Sequence, residues 1–306
     1  MKNVRGDNEL VGPSSRGPRR GTGSTRRSTV ALVLSAIVVM GTLTFLGWTR
    51  FTPGPTYLAT TTTTIPSGLF PVGTPNSKEP SGLAPPGSAA LTGYERSYVN
   101  DFTKGGIPSG WFTFHGQPGG DPGGQFAPSH VFVTHGQLIL RAAKDKQYQN
   151  RWVTGGLCQC GVPHIYGAYF VRSRVTGVGP NEVDLLWPEN NQWPPEIDFN
   201  ETPSSHQTSA TVHWGRANYT QQWTTKKVNM LAWNTWGVVW TPTKIIYVVN
   251  GRAWGVITNP QAIPRIPMRL DIEQRTECTI HQQCPSSPVQ MQVDWVAEYY
   301  PVTTRG

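Results

Sequence analysis

The chain has 306 residues, of which only 14% are charged, and it contains 33 Gly, 27 Pro and 12 Trp. About a quarter of an average protein is charged, and coiled coils or helical repeats need more, so this composition excludes those architectures. Residues 1–27 carry seven Lys or Arg against two acidic residues, a net +5 of the formal +8, whereas residues 96–306 carry 17 against 14. Because the basic excess lies mainly in the N-terminal tail, we predict no nucleic-acid partner.

An uncharged segment over residues 28–49 follows the basic tail of residues 1–27, and its apolar core from Val30 to Trp48 spans 19 residues. That length is sufficient for a helix to cross a bilayer. The basic flank lies on its N-terminal side, which predicts a cytoplasmic tail and an extracellular C-terminal part. We therefore expect a single-pass cell-membrane protein anchored by this transmembrane helix. A cleaved signal peptide, which would give a secreted protein, is the alternative.

The rest of the chain divides into a linker and a folded domain. Residues 50–95 are rich in Pro, Thr and Gly, and a segment so poor in apolar side chains cannot offset its ordering entropy, which predicts a disordered linker. Residues 96–306 contain short alternating or β-branched runs between Gly, Pro and Asn, without sustained helical periodicity, which predicts one all-β sandwich. Examples of these runs are His130–Ala142, Ile165–Val175, Ser209–Trp214, Trp236–Val249, Arg269–Glu273 and Val289–Tyr299.

The four cysteines form two local pairs, Cys158 with Cys160 and Cys278 with Cys284. In an exported chain an even number of cysteines favours disulfides, and three connectivities are open. A bridge from Cys278 to Cys284, which closes a short loop, is the favoured one. A zinc site is the alternative, but the spacings lack the two-residue gap that is usual between zinc thiolates. We therefore predict no metal site.

Three carboxylates, Glu196, Asp198 and Glu201, lie within six residues. In a strand, Glu196 and Asp198 share one face, while Ile197 and Phe199 turn to the core. Glu201 would point the wrong way in an unbroken strand, but a β-bulge between Asp198 and Glu201 returns it to the same face. The two Glu backbones are then about 13 Å apart. Side chains leaning inward approach the separation of about 5–5.5 Å that a retaining glycosidase needs.

A solvated strand face is the other interpretation of these acids. Three like charges on one face repel each other, and an ordinary surface would intersperse Lys or Arg. None lies between Val175 and Arg216. Carboxylates that lie close together have different pKa values, and a catalytic acid and a nucleophile need such a difference. The pattern therefore favours catalysis.

The segment from Glu196 to Glu201 resembles the bulged E-x-D-x-x-E motif of glycoside hydrolase family 16, the laminarinase and licheninase group. Further segments are similar to motifs of that family and follow in the same order over about 200 residues, so a chance match is improbable. The resemblance implies a concanavalin-like β-jelly roll with a cleft across its concave sheet. The segments are Tyr166–Arg174, Leu186–Glu189, Thr211–Gly215, Trp236–Gly251 and Val293–Tyr299.

The resemblance also implies roles for the three acids. Glu196 would be the nucleophile, Glu201 the general acid and then the base, and Asp198 would hydrogen-bond and tune both. The activity implied is retaining endo-hydrolysis of a β-1,3 or mixed β-1,3-1,4 glucan by double displacement. A transglycosylase of the same fold and a catalytically silent carbohydrate-binding protein stay open as alternatives.

Aromatic and polar side chains near the acids are candidates for binding a polysaccharide, since sugar rings have apolar faces. We predict stacking by Trp187, Trp193 and Trp214. Arg172 and His213 are expected to hydrogen-bond the sugar or to orient a carboxylate. We expect a monomer without a cofactor, and a structural calcium ion stays open.

Overall fold

A computed structural model describes residues 69–276, 278 and 284–302. The predicted tail over 1–27, the predicted transmembrane helix over 28–49 and the first part of the predicted linker, residues 50–68, lie outside the described residues. Within the described ranges, no helix has the length and apolarity needed to cross a membrane.

The described chain consists of β-strands with two short 3₁₀ turns, at Pro128–His130 and Lys146–Tyr148. The strands are β1 (Thr74–Pro75), β2 (Leu83–Ala84), β3 (Tyr94–Asn100), β4 (Phe112–Thr113), β5 (Val131–Thr134), β6 (Gln137–Asp145), β7 (Arg151–Val153), β8 (Gly156–Cys158), β9 (Gly167–Val175), β10 (Asn181–Pro188), β11 (Glu196–Ser204), β12 (Gln207–Trp214), β13 (Tyr219–Thr225), β14 (Asn234–Trp240), β15 (Ile245–Val249), β16 (Arg252–Ile257), β17 (Met268–Arg275) and β18 (Val289–Pro301).

Two large antiparallel sheets form the sandwich. The first has seven strands in the order β13-β12-β11-β10-β17-β8-β4. The second has nine strands, in which β16-β15-β14-β9-β18-β6-β5 follow one another, β3 pairs with β18 and β7 pairs with β6. A separate pair is formed by β1 and β2. The all-β sandwich predicted from the sequence is confirmed.

Alternation along each strand explains which side chains form the core between the sheets. On β12, Ala210 and Val212 are fully buried in the main hydrophobic cluster, whereas His213 turns to the other face. Trp236 and Trp240 of β14 enter the same cluster from the opposite sheet. Burial of large aromatic side chains is the dominant favourable contribution to such a sandwich.

The second sheet also buries apolar residues on its outer face, where Trp295 and Tyr299 belong to a smaller cluster. Phe70 and Tyr94 pack against this cluster, and the indole of Trp295 donates a 2.8 Å hydrogen bond to the carbonyl of Leu83. The linker prediction is therefore wrong for residues 69–95, which cover the outer face. A sheet with two apolar faces needs a cover on each, and this short segment provides one.

Both local cysteine pairs are disulfides, Cys158 with Cys160 and Cys278 with Cys284. Cys158 ends β8, so the first bridge lies on the seven-stranded sheet.

Candidate active site

The bulge predicted in β11 is present, and it brings the three acids to one face. Asp198 pairs with Thr211 of β12, and Glu201 pairs with Ser209, so three residues on β11 span the distance of two on its neighbour. Phe199 lies in the core between the sheets. Glu196, Asp198 and Glu201 all line one cleft.

Asn200 holds the bulge from behind. Its side-chain amide donates to Asp184 at 3.0 Å, and its amide oxygen accepts a 2.7 Å hydrogen bond from the hydroxyl of Thr208. All three residues are fully buried. Because a buried amide without partners is costly, this pairing fixes Asn200 away from the cleft and thereby turns Glu201 into it.

The cleft has a volume of about 350 Å³. Six of its nine lining residues come from four neighbouring strands of the seven-stranded sheet, β12, β11, β10 and β17, so the cleft crosses the strands, and the other three lie in loops. The lining residues are Gly119, Gly120, Trp187, Trp193, Glu196, Asp198, Glu201, His213 and Arg275. The structure thus brings together the three predicted acids and three of the five predicted binding residues.

Glu196 is the most enclosed of the cleft glutamates, with 8% of its surface exposed. Burial, followed by the negative charge of Asp198, raises its pKa to about 8. Three groups oppose this shift by favouring the ionised form, namely the charges of His213 and Arg275 and a hydrogen bond from Trp193. That hydrogen bond is short, with 2.6 Å between the indole nitrogen and the carboxylate oxygen.

Asp198 lies between the two glutamates and pairs with His213, 3.4 Å from carboxylate oxygen to Nε2. Burial, and then the charge of Glu201, raises the pKa of Asp198 to about 6. Burial of the imidazole opposes its protonation, but the hydrogen bond and charge of Asp198 and the charge of Glu196 outweigh it, so the pKa of His213 rises to about 9. The imidazolium therefore offsets part of the charge of the acidic row at neutral pH.

Glu201 is half-buried at the other end of the row. One of its carboxylate oxygens accepts a hydrogen bond from the hydroxyl of Thr211 at 3.2 Å. The same hydroxyl accepts a 3.0 Å hydrogen bond from the side chain of Gln222. This chain of donors orients the carboxylate from the β12 and β13 side.

Among the described residues, Glu196, Asp198 and His213 form one group whose ligand atoms, all within 4.8 Å of each other, could hold a metal ion. The imidazole would have to lose a proton to bind a metal, and its pairing with Asp198 favours the protonated form. A protonated imidazole has no free lone pair for a metal.

Arg275 of β17 is a cleft residue that the sequence analysis missed. Its guanidinium pairs with Glu273, 2.6 Å from Nη2 to the carboxylate oxygen, and its charge acts on Glu196 and Glu201. A signal was available, since Arg269, Asp271, Glu273 and Arg275 alternate through β17 in a domain that is poor in charge. Alternation of this kind places all four on one face of the strand.

Arg269 was also missed, and it positions one of the cleft tryptophans. Its Nη2 donates to the side-chain oxygen of Asn191 at 2.8 Å, and the same oxygen accepts a 3.2 Å hydrogen bond from the indole of Trp187. Its Nη1 donates to the carbonyl of Pro188 at 3.1 Å. The arginine thus ties the loop after β10 to β17.

Two predicted binding residues do not belong to the cleft. Arg172 is in β9 of the other sheet, where it donates to the hydroxyls of Ser81 and Thr235 at 2.7 and 3.0 Å. Trp214 follows His213 on β12 and therefore turns to the opposite face, where it packs in the core. The structure places neither residue in the cleft. The motif around Arg172 does not reveal which sheet its strand joins, whereas Trp214 adjoins His213 in one strand, so alternation already places these two side chains on opposite faces.

A β-sandwich whose cleft floor carries two glutamates separated by an aspartate, with tryptophans beside them, has the features of a glycosidase. The profile of the glycosyl hydrolases family 16 matches residues 125–297, more than half of the chain. The chain therefore belongs to glycosyl hydrolase family 16 and is an enzyme of the class that cleaves O-glycosyl bonds.

Solved structures agree with this fold at low sequence identity. The catalytic domain of an endo-1,3-beta-glucanase (laminarinase) from Thermotoga petrophila has a TM-score of 0.59 at 16% identity, over 69% of this chain and 99% of that one. The laminarinase from Rhodothermus marinus has a TM-score of 0.61 at 19% identity, over 68% and 98%. A Bacteroides ovatus family 16 protein from a mixed-linkage glucan locus, in complex with a G4G4G3G product, has a TM-score of 0.57 at 18% identity, over 66% of this chain and 99% of that one. No curated protein matches the chain.

Proposed function

We propose that the protein is a retaining endo-hydrolase of a β-glucan that works by double displacement. The observation that carries the proposal is the acidic row Glu196, Asp198 and Glu201, which the bulge in β11 presents to a single cleft. Retaining hydrolysis needs one carboxylate as nucleophile and a second one nearby as acid and base. Both ends of the row are glutamates, and each has its own set of hydrogen-bond donors.

The reaction assigns different tasks to the two glutamates. Glu201 donates its proton to the glycosidic oxygen while a carboxylate oxygen of Glu196 attacks the anomeric carbon and the bond to the leaving sugar breaks. Glu201, now ionised, takes a proton from water, and the resulting hydroxyl attacks the anomeric carbon and releases Glu196. The anomeric configuration is inverted twice and so retained.

The surroundings of Glu196 fit the role of nucleophile. A nucleophilic carboxylate must be ionised, yet burial and the neighbouring Asp198 favour its protonated form. The hydrogen bond from Trp193 and the charges of His213 and Arg275 act in the opposite direction. The enclosure that raises the pKa also strengthens every electrostatic interaction in the site.

The charge of the cleft supports a neutral polysaccharide as substrate. Three carboxylates line it, and both of its cations are already paired, Arg275 with Glu273 and the His213 imidazolium with Asp198, so neither is left to bind a sulfate or a uronate. An acidic cleft repels a sulfated or uronate-rich chain. Among neutral glycans, the proteins with a similar fold favour a β-1,3 or mixed-linkage glucan, since they include laminarinases and a complex with a mixed-linkage product.

Kinetics on laminarin and on mixed-linkage glucan test the proposal. We expect Glu201→Gln to lower turnover by about 10²–10⁴-fold, as for loss of a general acid. Glu196→Gln should abolish formation of the glycosyl-enzyme and leave glycan binding intact. Glu95→Gln is the matched control, because this exposed carboxylate lies on β3 of the other sheet and should have no effect.

The stereochemistry and the products complete this test. Proton NMR of the first product should show the β-anomer before mutarotation. Wild-type rates in either cleft variant would refute the assignment of the acids, and an initial α-anomer would refute retention. Products longer than the substrate, formed in preference to free sugars, would show a transglycosylase.

We also propose that residues 28–49 anchor the enzyme in the cell membrane with its C-terminal domain outside, on the basis of their length, apolarity and basic flank. Fractionation of cells that produce the full chain tests this. Membrane-bound protein with an intact N-terminus is expected, and soluble secreted protein that has lost these residues would show a cleaved signal.

A further inference from the structure

One cross-strand row of residues runs over the entire seven-stranded sheet at the level of Asp198. Directly paired residues in neighbouring antiparallel strands have their side chains on the same face. The row therefore lies on the cleft face from one edge of the sheet to the other. From β13 to β4 its members are Gln222, Thr211, Asp198, Leu185, Asp271, Cys158 and Phe112.

The residues next to this row confirm that it belongs to the cleft face. Leu186, Ile272 and Leu157 alternate with members of the row along their strands, and all three lie in the core between the sheets. Trp111, immediately before Phe112, is buried in the same core. Phe112 must then point away from the core, on the face that carries the acids.

Phe112 is 61% exposed, although large aromatic side chains of a sandwich are usually covered. Four strand spacings of about 4.8 Å separate it from Asp198, so its backbone lies about 19 Å from the acidic row across the sheet. That distance corresponds to several sugar units. The strand residues that line the cleft end at β17, so a glycan would reach the ring by continuing beyond the cleft over β8. The Cys158–Cys160 disulfide lies on the adjacent strand and fixes the chain beside the ring.

The two ends of the cross-strand row, Gln222 and Phe112, differ in chemistry. At the β13 edge, Gln222 is exposed and polar and donates to Thr211. At the β4 edge, Phe112 offers an aromatic face, the kind of surface on which the apolar face of a sugar ring stacks. A glycan bound at Glu196 that continued about 19 Å toward β4 would reach this ring.

We infer that Phe112 forms a remote sugar-binding subsite, which stacks on a neutral β-glucan several units from the cleavage point and makes the enzyme select long chains over short ones. This inference rests on the proposed function, since its occupant is the distal part of the substrate. A subsite of this kind contributes binding without touching the reacting atoms, so it acts on polymers and not on oligosaccharides too short to reach it.

The test compares Phe112→Ala and Phe112→Trp with the wild-type enzyme on soluble laminarin and on a β-1,3-linked glucotetraose. We expect Phe112→Ala to lower kcat/KM on laminarin about three- to ten-fold, the effect of losing one aromatic contact, through a higher KM at unchanged kcat. Phe112→Trp should preserve the wild-type kcat/KM on laminarin. Both variants should hydrolyse the tetraose at the wild-type rate. Leu231→Ala is the matched control, since Leu231 is 43% exposed and precedes β14, outside the cleft lining.

Binding measurements distinguish failure of the Phe112 subsite from failure of the proposed glucanase activity. In a Glu196→Gln background, affinity electrophoresis in laminarin should show weaker retention when Phe112 is also Ala. Equal retention with and without Phe112, or an equal loss on laminarin and the tetraose, would overturn the subsite while leaving the proposed activity intact. No hydrolysis by the wild type and no retention of the Glu196→Gln variant would refute the proposed function, and the subsite with it. The exposure of Phe112 leads us to expect unchanged thermal unfolding in both variants.

Discussion

The hydrogen bond from Trp193 to Glu196 allows a quantitative prediction. A hydrogen bond to a charged group contributes about 1.5–3 kcal/mol. The 2.6 Å contact favours the ionised carboxylate, so its loss destabilises the form that attacks the sugar. Since one pKa unit corresponds to about 1.36 kcal/mol, Trp193→Phe should raise the pKa of Glu196 by about one to two units.

The sign of the kinetic effect follows from the role of Glu196. Activity requires the ionised carboxylate, so the rate falls as the pH drops through its pKa, which is already raised to about 8. A further rise moves the acid limb of the profile to higher pH. At a pH below that limb, the ionised fraction and the rate should fall about 10- to 100-fold, one factor of ten for each pKa unit.

The assay is kcat/KM on laminarin against pH, because this parameter reports the pKa values of the free enzyme. Trp187→Phe is the matched control. This substitution also removes an indole N–H from the cleft, but the N–H of Trp187 donates to Asn191 and not to Glu196, so the acid limb should not move. An unmoved limb in Trp193→Phe, or equal shifts in both variants, would refute the reasoning. A change in KM alone would mean that Trp193 only stacks on the sugar.

Two further predictions concern charge. Arg275→Met removes a positive charge that lowers the pKa of Glu196, so the acid limb of the pH profile should move to higher pH. Arg275→Lys keeps the charge and should move the limb less. Equal shifts in the two variants would contradict an electrostatic role. Burial raises the pKa of Glu298 from 4.5 to about 8, so the folded state binds more protons than the unfolded state between these values, and stability falls as the pH rises through this window. The raised pKa values of Glu196, Asp198 and His213 act in the same direction, so Glu298→Gln should reduce that fall without abolishing it, as measured by urea unfolding at pH 5 and pH 8. An undiminished fall in the variant would assign the pH dependence to the other groups alone.

Local pattern predicted the row of acids and many of the strands, but β3, β7, β8, β13 and β16 lie outside the predicted runs. All six predicted runs contain strands, and His130–Ala142 and Trp236–Val249 each contain a hairpin rather than one strand. The bulge followed from side-chain parity alone, because Glu201 could reach the face of Glu196 in no other way. Alternation and parity are properties of a few consecutive residues, and a sequence shows them directly.

What the sequence did not reveal depends on which strands become neighbours. Arg275 lies 74 positions after Glu201 in the chain, yet β17 is separated from β11 by β10 alone. Arg172 was assigned to the cleft because its strand resembles a family motif, but that strand belongs to the other sheet. Residues 69–95 looked like a linker because their few apolar side chains suffice only when a sheet surface is present to receive them.

The order of strands in the larger sheet has a consequence for the synthesis of the enzyme. β18 begins at Val289, comes after all the other described strands in chain order, and lies inside the sheet, paired with β9 on one side and with β6 and β3 on the other. Until it arrives, the strands on its two sides have no partner between them, and the nascent chain presents bare strand edges beside uncovered apolar surface. Such edges pair with other chains. We therefore expect the domain to fold only after synthesis of β18, and a stop codon just before Val289 to yield aggregating protein instead of a shorter enzyme.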